Sequence, residues 1–407
     1  WLWAKQAWGI GEDVGFSIAV DANGNSYITG VFMESANFGT TTLTSSGDYD
    51  IFVAKLDING NWLWAKQAGG TSDDYGNGIA VDANGNSYVT GYFSESATFG
   101  TTTLTSSGDI DIFVAKLDSS GNWLWANQAG GTNCDYGHGI AVDDNGNSYI
   151  IGNFLESANF GITTLTSSGY YDIFVAKLDI NGNWLWAKQA GGTSYDFGNS
   201  IAVDTNRNVY VTGFFYSSSC SFGTITLINS SSEYIDIFVA KLDINGNWLW
   251  AKQAGGTSDD CGYGITVDVN GNSYITGIFR GSATFGTTTL TSSGDFDIFV
   301  AKLGEVNSID LPDIISFSGI RSIYPNPFNP LTTIDYEISM PADVKIEVYN
   351  NRGQLVRNFI LGYKEQGSYK LTWEGEDNNG CLCSTGIYYI RMQAGKEIYI
   401  KKAVLLK

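Results

Sequence analysis

Residues 61–118, NWLWAKQAGGTSDDYGNGIAVDANGNSYVTGYFSESATFGTTTLTSSGDIDIFVAKLD, decide the fold, because nearly the same residues recur along the chain. The string WLWAKQA or a close variant starts at Trp1, Trp62, Trp123, Trp184 and Trp248, so successive starts lie 61, 61, 61 and 64 residues apart. A fixed period of this length marks a repeat architecture. The longer fourth unit carries its extra residues around 217–220 and 229–234, which are polar and loop-like.

Each unit reads as four strands. Trp62 and Trp64 fall on one side of the first, since strand side chains alternate. Ile79-Ala80-Val81 and residues 87–90 flank Asp82-Ala83-Asn84-Gly85-Asn86, whose Asn-Gly supplies the positive φ angles of a tight hairpin turn. Ile112-Phe113-Val114-Ala115 is a short apolar run suited to burial on both faces. Residues 99–106 read as a small additional hairpin or ribbon. No segment has the i, i+3, i+4 apolar pattern of a helix. The expected class is therefore all-β: a β-propeller of five four-stranded repeats over residues 1–304. A linear β-solenoid would have shorter periods.

The chain opens with a lone WLWAKQ strand, and its last unit, ending at residues 297–303, has only three strands. Two explanations stay open. The N-terminal strand completes the last blade and closes the ring, which removes the free edges at the join; or a fragment has been cut there. Trp1 follows no Met and no charged-then-apolar leader, so a removed signal segment or a fragment is expected.

Composition bounds the function. Of 407 residues, 43% are hydrophobic and 16% charged, which suits a packed core and not charge-driven disorder. The net charge of −20 argues against a nucleic-acid partner. A single histidine makes histidine acid–base chemistry a poor expectation. No stretch reaches the ~18 apolar residues of a membrane-spanning helix. Cys134, Cys220, Cys261, Cys381 and Cys383 have neither zinc-site spacing nor the look of a disulfide framework.

All five prolines lie beyond residue 304, and residues 305–407 carry 12 acidic and 11 basic side chains, leaving −19 to the repeats. Residues 305–322 read as a linker. Residues 323–407 hold six or seven short strand-like segments, with turns at Asn351-Arg352-Gly353 and Asp377-Asn378-Asn379-Gly380, as in a small immunoglobulin-like β-sandwich.

Two families are recognisable in these residues. The units WLWAKQAGGTSDDYG and GIAVDANGNSYVTG, followed by DIFVAKLD, resemble the SBBP repeat, a β-propeller repeat of bacterial surface and secreted proteins. That resemblance implies seven blades where five units are present. In the last domain the matching residues are Tyr324-Pro325-Asn326-Pro327-Phe328-Asn329-Pro330, Val348-Tyr349, Gly353-Gln354-Leu355-Val356 and Trp373. Ser384-Thr385-Gly386-Ile387-Tyr388-Tyr389 and the closing stretch to Lys407 complete the set. Together they resemble the Por-type C-terminal sorting domain of the type IX secretion system. The resemblance implies the secretion machinery as partner, and an address outside, or on the outer surface of, a Gram-negative cell. A related immunoglobulin-like domain with the same opening occurs in flagellar hook-assembly proteins. The alternative is a plain β-sandwich in which the prolines protect an edge strand.

The search for chemistry is mostly negative. Gly-rich runs such as Gly69-Gly70 to Gly78 lack the context of a phosphate loop. Cys134 and His138 stand where the second unit has Asp73 and Asn77, so they read as loop drift. Asp73, Asp74, Asp135, Asp196, Asp259 and Asp260 recur before the innermost strand, where propeller loops approach the central opening. With Tyr75, Tyr136 and Phe197 they are the candidate ligand-binding residues, for an extracellular glycan or protein. A glycosidase or lyase using two such carboxylates is the alternative. It needs unlike environments, whereas repetition supplies like ones. Calcium is the one cofactor considered, at turns such as Asp82–Asn86, where an Asx-type hairpin turn is the simpler reading. The tryptophan pairs are expected to pack blade on blade, and Lys66 and Lys116 to snorkel along their strands. The expectation is a non-catalytic, exported propeller scaffold.

Overall fold

The computed structural model describes every residue except 232, 305–317, 339–340, 366, 396 and 407. The chain divides into two compact units, Trp1–Glu305 and Val306–Lys407. No helix among the described residues is long and apolar enough to cross a membrane.

In the first unit each repeat folds as an antiparallel sheet. Blade two consists of an inner strand Asp74–Val81, a second strand Ser87–Phe99, a third strand Thr102–Leu117 and an outer strand Trp123–Gly131. Blades one, three and four begin their inner strands at Asp13, Tyr136 and Asp196 and repeat this order. Blade five has only Asp260–Val267, Ser273–Phe285 and Thr288–Leu303. Inner strands are short because Asn-Gly turns stop them. Asp82 N donates to Asn86 O at 3.0 Å, and the Asp82 carboxylate accepts from Asn84 N, Asn86 N, Asn86 Nδ2 and Tyr88 OH. Every oxygen of that carboxylate is thus directed into its own turn.

The ribbon expected at residues 99–106 is the prolongation of the second and third strands past a bulge at residues 94–96. Glu34, Glu95 and Glu156 take φ of 59°, 55° and 59° at this bulge, where Gly281 serves in blade five. In blade four the ribbon separates as Ser219–Phe222 and Ile225–Ile228, which absorbs the additional residues of the long unit.

The core lies between blades. Ile51 and Val53 of blade one pack with Ile79, Val89 and Phe93 of blade two, and Ile112 and Val114 pack with Ile140, Ile150 and Phe154 of blade three. Each fully buried side chain of this kind contributes roughly 1.5–3 kcal/mol. The tryptophans join blades as expected: Trp64 meets Tyr27 edge-on at 6.1 Å and donates Nε1 to Ser119 O of the next blade at 3.2 Å. Lys116 departs from expectation. Instead of reaching water it is buried, with Nζ 4.7 Å above the Tyr88 ring and 3.5 Å from Ile180 O.

Ring closure by the N-terminal strand is not what the structure shows. Residues 1–7 form no strand and lie largely in solvent. Trp3 donates Nε1 to Ile58 O at 3.1 Å, the contact that Trp64 makes one repeat later. In the next unit the same contact is made by an outer strand that also pairs with its own blade, whereas residues 1–7 pair with no strand. No strand of blade one pairs with a strand of blade five among the described residues. Hence Ile298 and Val300 are 80% and 78% exposed, against 0% for Ile112 and Val114 at the same positions in blade two. On the other side of the gap Ile18 is 65% exposed, against 6% for Ile79.

The second unit is a β-sandwich. Strands Gly319–Tyr324, Thr332–Ile338 and Gly367–Trp373 form one sheet, and Leu355–Lys364, Ala342–Asn350, Gly386–Ala394 and Glu397–Leu405 the other. Ile334, Tyr336, Val344, Ile346, Ile390, Met392 and Trp373 meet in its core. Strand Gly319–Tyr324 begins within the stretch read as linker; its alternation is too brief to stand out beside Pro312 and Pro325.

Candidate functional site

The five inner strands surround a channel of about 250 Å³. One repeat position lines it throughout, occupied in turn by Phe16, Asn77, His138, Asn199 and Tyr263. Asn77 and Asn199 lock blades together, donating Nδ2 to Gly137 O and Gly262 O at 2.9 Å. His138 bonds Asn153 Oδ1 at 2.7 Å, and burial lowers its pKa. Its ring stacks on Tyr136, which is also the hydrogen-bonded neighbour of Cys134. The thiol and imidazole are therefore each paired elsewhere than with one another.

From Phe16 an unbroken series of rings in contact runs across four blades. Phe16 faces Tyr75 at 6.2 Å, Tyr75 stacks on Tyr92 at 4.9 Å, and Tyr92 meets Tyr136 edge-on at 5.0 Å. Tyr136 lies 6.1 Å from Tyr171, Tyr171 5.5 Å from Phe197, and Phe197 5.1 Å from Phe214. Tyr49, Tyr170 and Tyr195 widen the band, the last two stacked at 4.8 Å and both exposed. Phe16 is exposed as well, and the other rings are half-buried, so each keeps part of its surface in solvent. At the blade-five position equivalent to Phe197 stands Cys261, which is buried, and the band ends there. Polar groups edge it: the Tyr49 OH donates to Glu12 Oε2 at 2.9 Å, which raises its pKa, and the exposed Asp73 lies beside Tyr49 N.

Tyr75, Tyr136 and Phe197 are thus brought together, whereas four of the six carboxylates expected with them are not at the surface. Asp74, Asp135, Asp196 and Asp260 are wholly buried, which corrects their assignment as ligand contacts. Each fastens the Gly-Gly crossing between blades to an inner strand. Asp135 Oδ2 accepts from Gly131 N at 2.7 Å and Oδ1 from Leu155 N at 3.1 Å. Asp74 accepts likewise from Gly70 N and Ser94 N, and Asp196 from Gly192 N and Ser217. Asp260 accepts from Arg280 N at 3.2 Å. Asp259 stays near the rim, accepting from Ile235 N at 3.3 Å.

A second buried carboxylate faces each of these four, from Asp50, Asp111, Asp172 and Asp236. A Cβ placed on Gly130 would lie 2.5 Å from Asp111 Oδ1 and 3.0 Å from Asp135 Oδ2, so the two groups converge on one glycine. Oδ1 of Asp50, Asp111, Asp172 and Asp236 has no hydrogen-bond partner among the described residues. Burial pushes Asp74 up to about 8, Asp135, Asp172 and Asp260 up to about 7, and Asp50 and Asp111 up to about 6. No group of three or more His, Cys, Asp or Glu among the described residues is arranged to hold a metal ion.

In the second unit the opening motif lies along the last strand. Phe328 is buried 5.2 Å from Trp373; its N donates to Val404 O, and its O accepts from Leu406 N, both at 2.9 Å. Asn326 bonds Lys402 O and Val404 N, and Thr332 bonds Pro325 O. Tyr324, Pro325, Pro327, Asn329 and Pro330 are exposed. Gly353 takes φ +74° in a turn and Gly386 opens a strand. Lys407 lies outside the described residues.

A family model described as a β-propeller repeat, SBBP, matches residues 63–92, 124–153, 185–213 and 249–277. One described as the FlgD Ig-like domain matches residues 330–397. The chain carries SBBP propeller repeats and a FlgD-like immunoglobulin domain. An uncharacterized WD repeat-containing protein of Acanthamoeba polyphaga mimivirus is 30% identical over 186 residues, 39% of this chain and 13% of that protein. The regulatory protein FlaEY of Caulobacter vibrioides is 24% identical over 292 residues, 66% of this chain and 29% of that one. The chain thus spans well under a third of either relative. Among solved structures, FlgD of P. aeruginosa is 20% identical, with a TM-score of 0.17, covering 21% of this chain and 67% of its own. PorZ, a surface component of the type IX secretion system of Porphyromonas gingivalis, is 12% identical, with a TM-score of 0.24, covering 96% and 59%.

Proposed function

We propose that the first unit is a non-catalytic scaffold that binds glycans or similar polymers along the aromatic band. The observation that carries this reading is the continuity of partly or fully accessible rings from Phe16 to Phe214, edged by Glu12 and Asp73. Ring faces stack on sugar rings, and a band spanning several blades suits a chain of sugars better than a single one. Hydrolysis is disfavoured because the recurring carboxylate pairs lie beneath the surface, occupied by backbone N–H groups. The full chain is expected to retain polysaccharides on a glycan array. Tyr75→Ala and Tyr136→Ala should each weaken retention roughly tenfold, about 1.4 kcal/mol per ring. An intact fold that retained nothing, or variants that bound as well as the parent, would refute the assignment.

The second unit serves, in the same proposal, as a sorting domain for type IX secretion, which places the propeller outside the cell or on its outer surface. Its support is the order of Tyr324–Pro330 motif residues, Gly353 and Gly386 along the sandwich. Fused behind a reporter, residues 319–407 should carry it to the surface of a bacterium possessing that system. A reporter retained in the periplasm would count against the address.

A further inference from the structure

We propose that Tyr170 and Tyr195 form a site of oxidative cross-linking, at which one carbon–carbon bond staples blade three to blade four. The two rings are stacked at 4.8 Å with their planes 6° apart. Tyr170 lies in the third strand of blade three, Thr163–Leu178, and Tyr195 directly precedes the inner strand of blade four, Asp196–Val203. Both are exposed, at 57% and 43%. Their roots are held together from either side. One residue before Tyr170, the chain at Gly169 crosses Thr193 so closely that a Cβ on the glycine would lie 2.3 Å from the Thr193 carbonyl carbon. Just beyond the rings, Asp172 accepts from Ser168 N at 3.0 Å and Asp196 from Gly192 N at 2.7 Å.

The same crossing recurs at Gly47 with Thr71 and at Gly108 with Thr132. At those junctions the two positions hold Asp48 with Asp73 and Asp109 with Cys134, and at the fourth they hold Tyr234 with Asp259. Of the four junctions, tyrosine faces tyrosine at the third alone. The repeat supplies the close approach, and two substitutions supply the chemistry. A one-electron oxidant of the haem-peroxidase class, using hydrogen peroxide, removes one electron from each phenol, and each O–H proton passes to water. The unpaired spin in each ring extends to the Cε atoms beside the oxygen. One Cε of each ring joins the other, and the hydrogen on each joined carbon leaves as a proton while each oxygen regains one. The pair has then lost two electrons and two protons, which reduce one peroxide to two waters. Exposure lets the phenol protons leave directly, whereas burial raises the pKa of Tyr92 and Tyr136 elsewhere in the band. Tyr171 is half-buried, and its ring lies 6.2 Å from that of Tyr195 at 34°. A bond between residues 170 and 195 closes a loop across the junction, which stabilises the fold by constraining the unfolded chain.

The test treats the full chain, at low concentration, with a haem peroxidase and hydrogen peroxide, and then digests it with trypsin. Cleavage after Lys177 and Lys188 puts Tyr170 and Tyr195 on separate peptides, and the second, residues 189–207, holds no other tyrosine. The expected product is a monomer in which these two peptides are joined with the loss of two hydrogen atoms. Its urea midpoint should lie roughly 1 M above that of the untreated chain. Tyr170→Phe and Tyr195→Phe keep both rings, and each should abolish the joined peptide and the shift in midpoint. Tyr171→Phe should leave both in place. Coupling that persists in Tyr170→Phe, coupling only between chains, no joined peptide at all, or a coupled monomer with an unchanged midpoint would each overturn the proposal.

Discussion

Between pH 5 and pH 8 the propeller is expected to lose roughly 5 kcal/mol of stability, seen as a fall of about 10 °C in its thermal midpoint. The cause is the four buried aspartate pairs at the blade junctions. Burial raises both members, Asp74 to about 8 and Asp50 to about 6, while in the unfolded chain each titrates near 3.8. Through that window the folded state holds protons that the unfolded state has already released, so stability falls as pH rises. One proton retained through a single pH unit is worth about 1.4 kcal/mol, and four junctions act together. The turn carboxylates oppose this at the acid end. Hydrogen bonds from Asn61 lower the pKa of Asp57, and those from Asn272 help to lower that of Asp268, so protonation below about pH 4 costs stability. The optimum should therefore be mildly acidic. Asp50→Asn, Asp111→Asn, Asp172→Asn and Asp236→Asn keep an oxygen for their backbone N–H partners and place an amide where Oδ1 lacks a partner. Combined, they should flatten the profile and raise the midpoint at pH 8. A parental profile level from pH 5 to 8 would remove the shared proton from the account. A midpoint restored at pH 8 by calcium would replace the proton with a cation.

Gly91→Ala is expected to destabilise the unit by about 3 kcal/mol or more, read from the urea midpoint. A Cβ at Gly91 would stand 1.7 Å from the Tyr75 carbonyl oxygen and 2.9 Å from Phe113 Cε1. Neither neighbour is free to retreat: Tyr75 is held in register against Tyr92 beside the Gly76–Gly78 bulge, and Phe113 is fully buried. Gly30, Gly152, Gly213 and Gly277 repeat the close approach in the other blades. Because Tyr75 and Tyr92 are stacked on one another, the same change should also disturb the aromatic band. Gly294→Ala is the matched control. Nothing lies within 4 Å of its Cβ, so it should shift the midpoint by no more than about 0.5 kcal/mol. Equal effects at the two sites would mean that the approach at Gly91 is not what constrains the blade.

Much of the architecture is legible in the repeat itself. The period, the Asn-Gly turns and the apolar run around Phe113 are local signals, and each survives translation into a strand or a turn. The candidate site was only half legible. Tyr75, Tyr136 and Phe197 share one repeat position, which Val14 and Cys261 fill in blades one and five; Tyr92 and Phe214 share another, filled elsewhere by Val31, Asn153 and Ile278, and Tyr171 belongs to a third, with Ile110 in blade two. A search for recurrence passes over them, although departures from the repeat were the signal to follow. Burial of Asp74 and Lys116 depends on the neighbouring blade and is not encoded in the strand that carries them. Ring closure is of the same kind. Five strands of each type satisfy the count, but whether residues 1–7 pair with the last blade depends on contacts beyond the repeat, which strand patterns do not reveal.

The sequential packing of the blades also bears on how such a chain changes over evolutionary time. Every junction joins blades adjacent in sequence, and each uses nearly the same side chains. Duplicating or deleting one 61-residue unit by recombination would leave all remaining junctions as they were, because stability in such an array accumulates from neighbour to neighbour. A closed ring has no such freedom, since one blade gained or lost alters every angle in it. The number of units can therefore drift without altering the junctions that remain, and each unit brings its own residue to the channel, as Phe16, Asn77, His138, Asn199 and Tyr263 do.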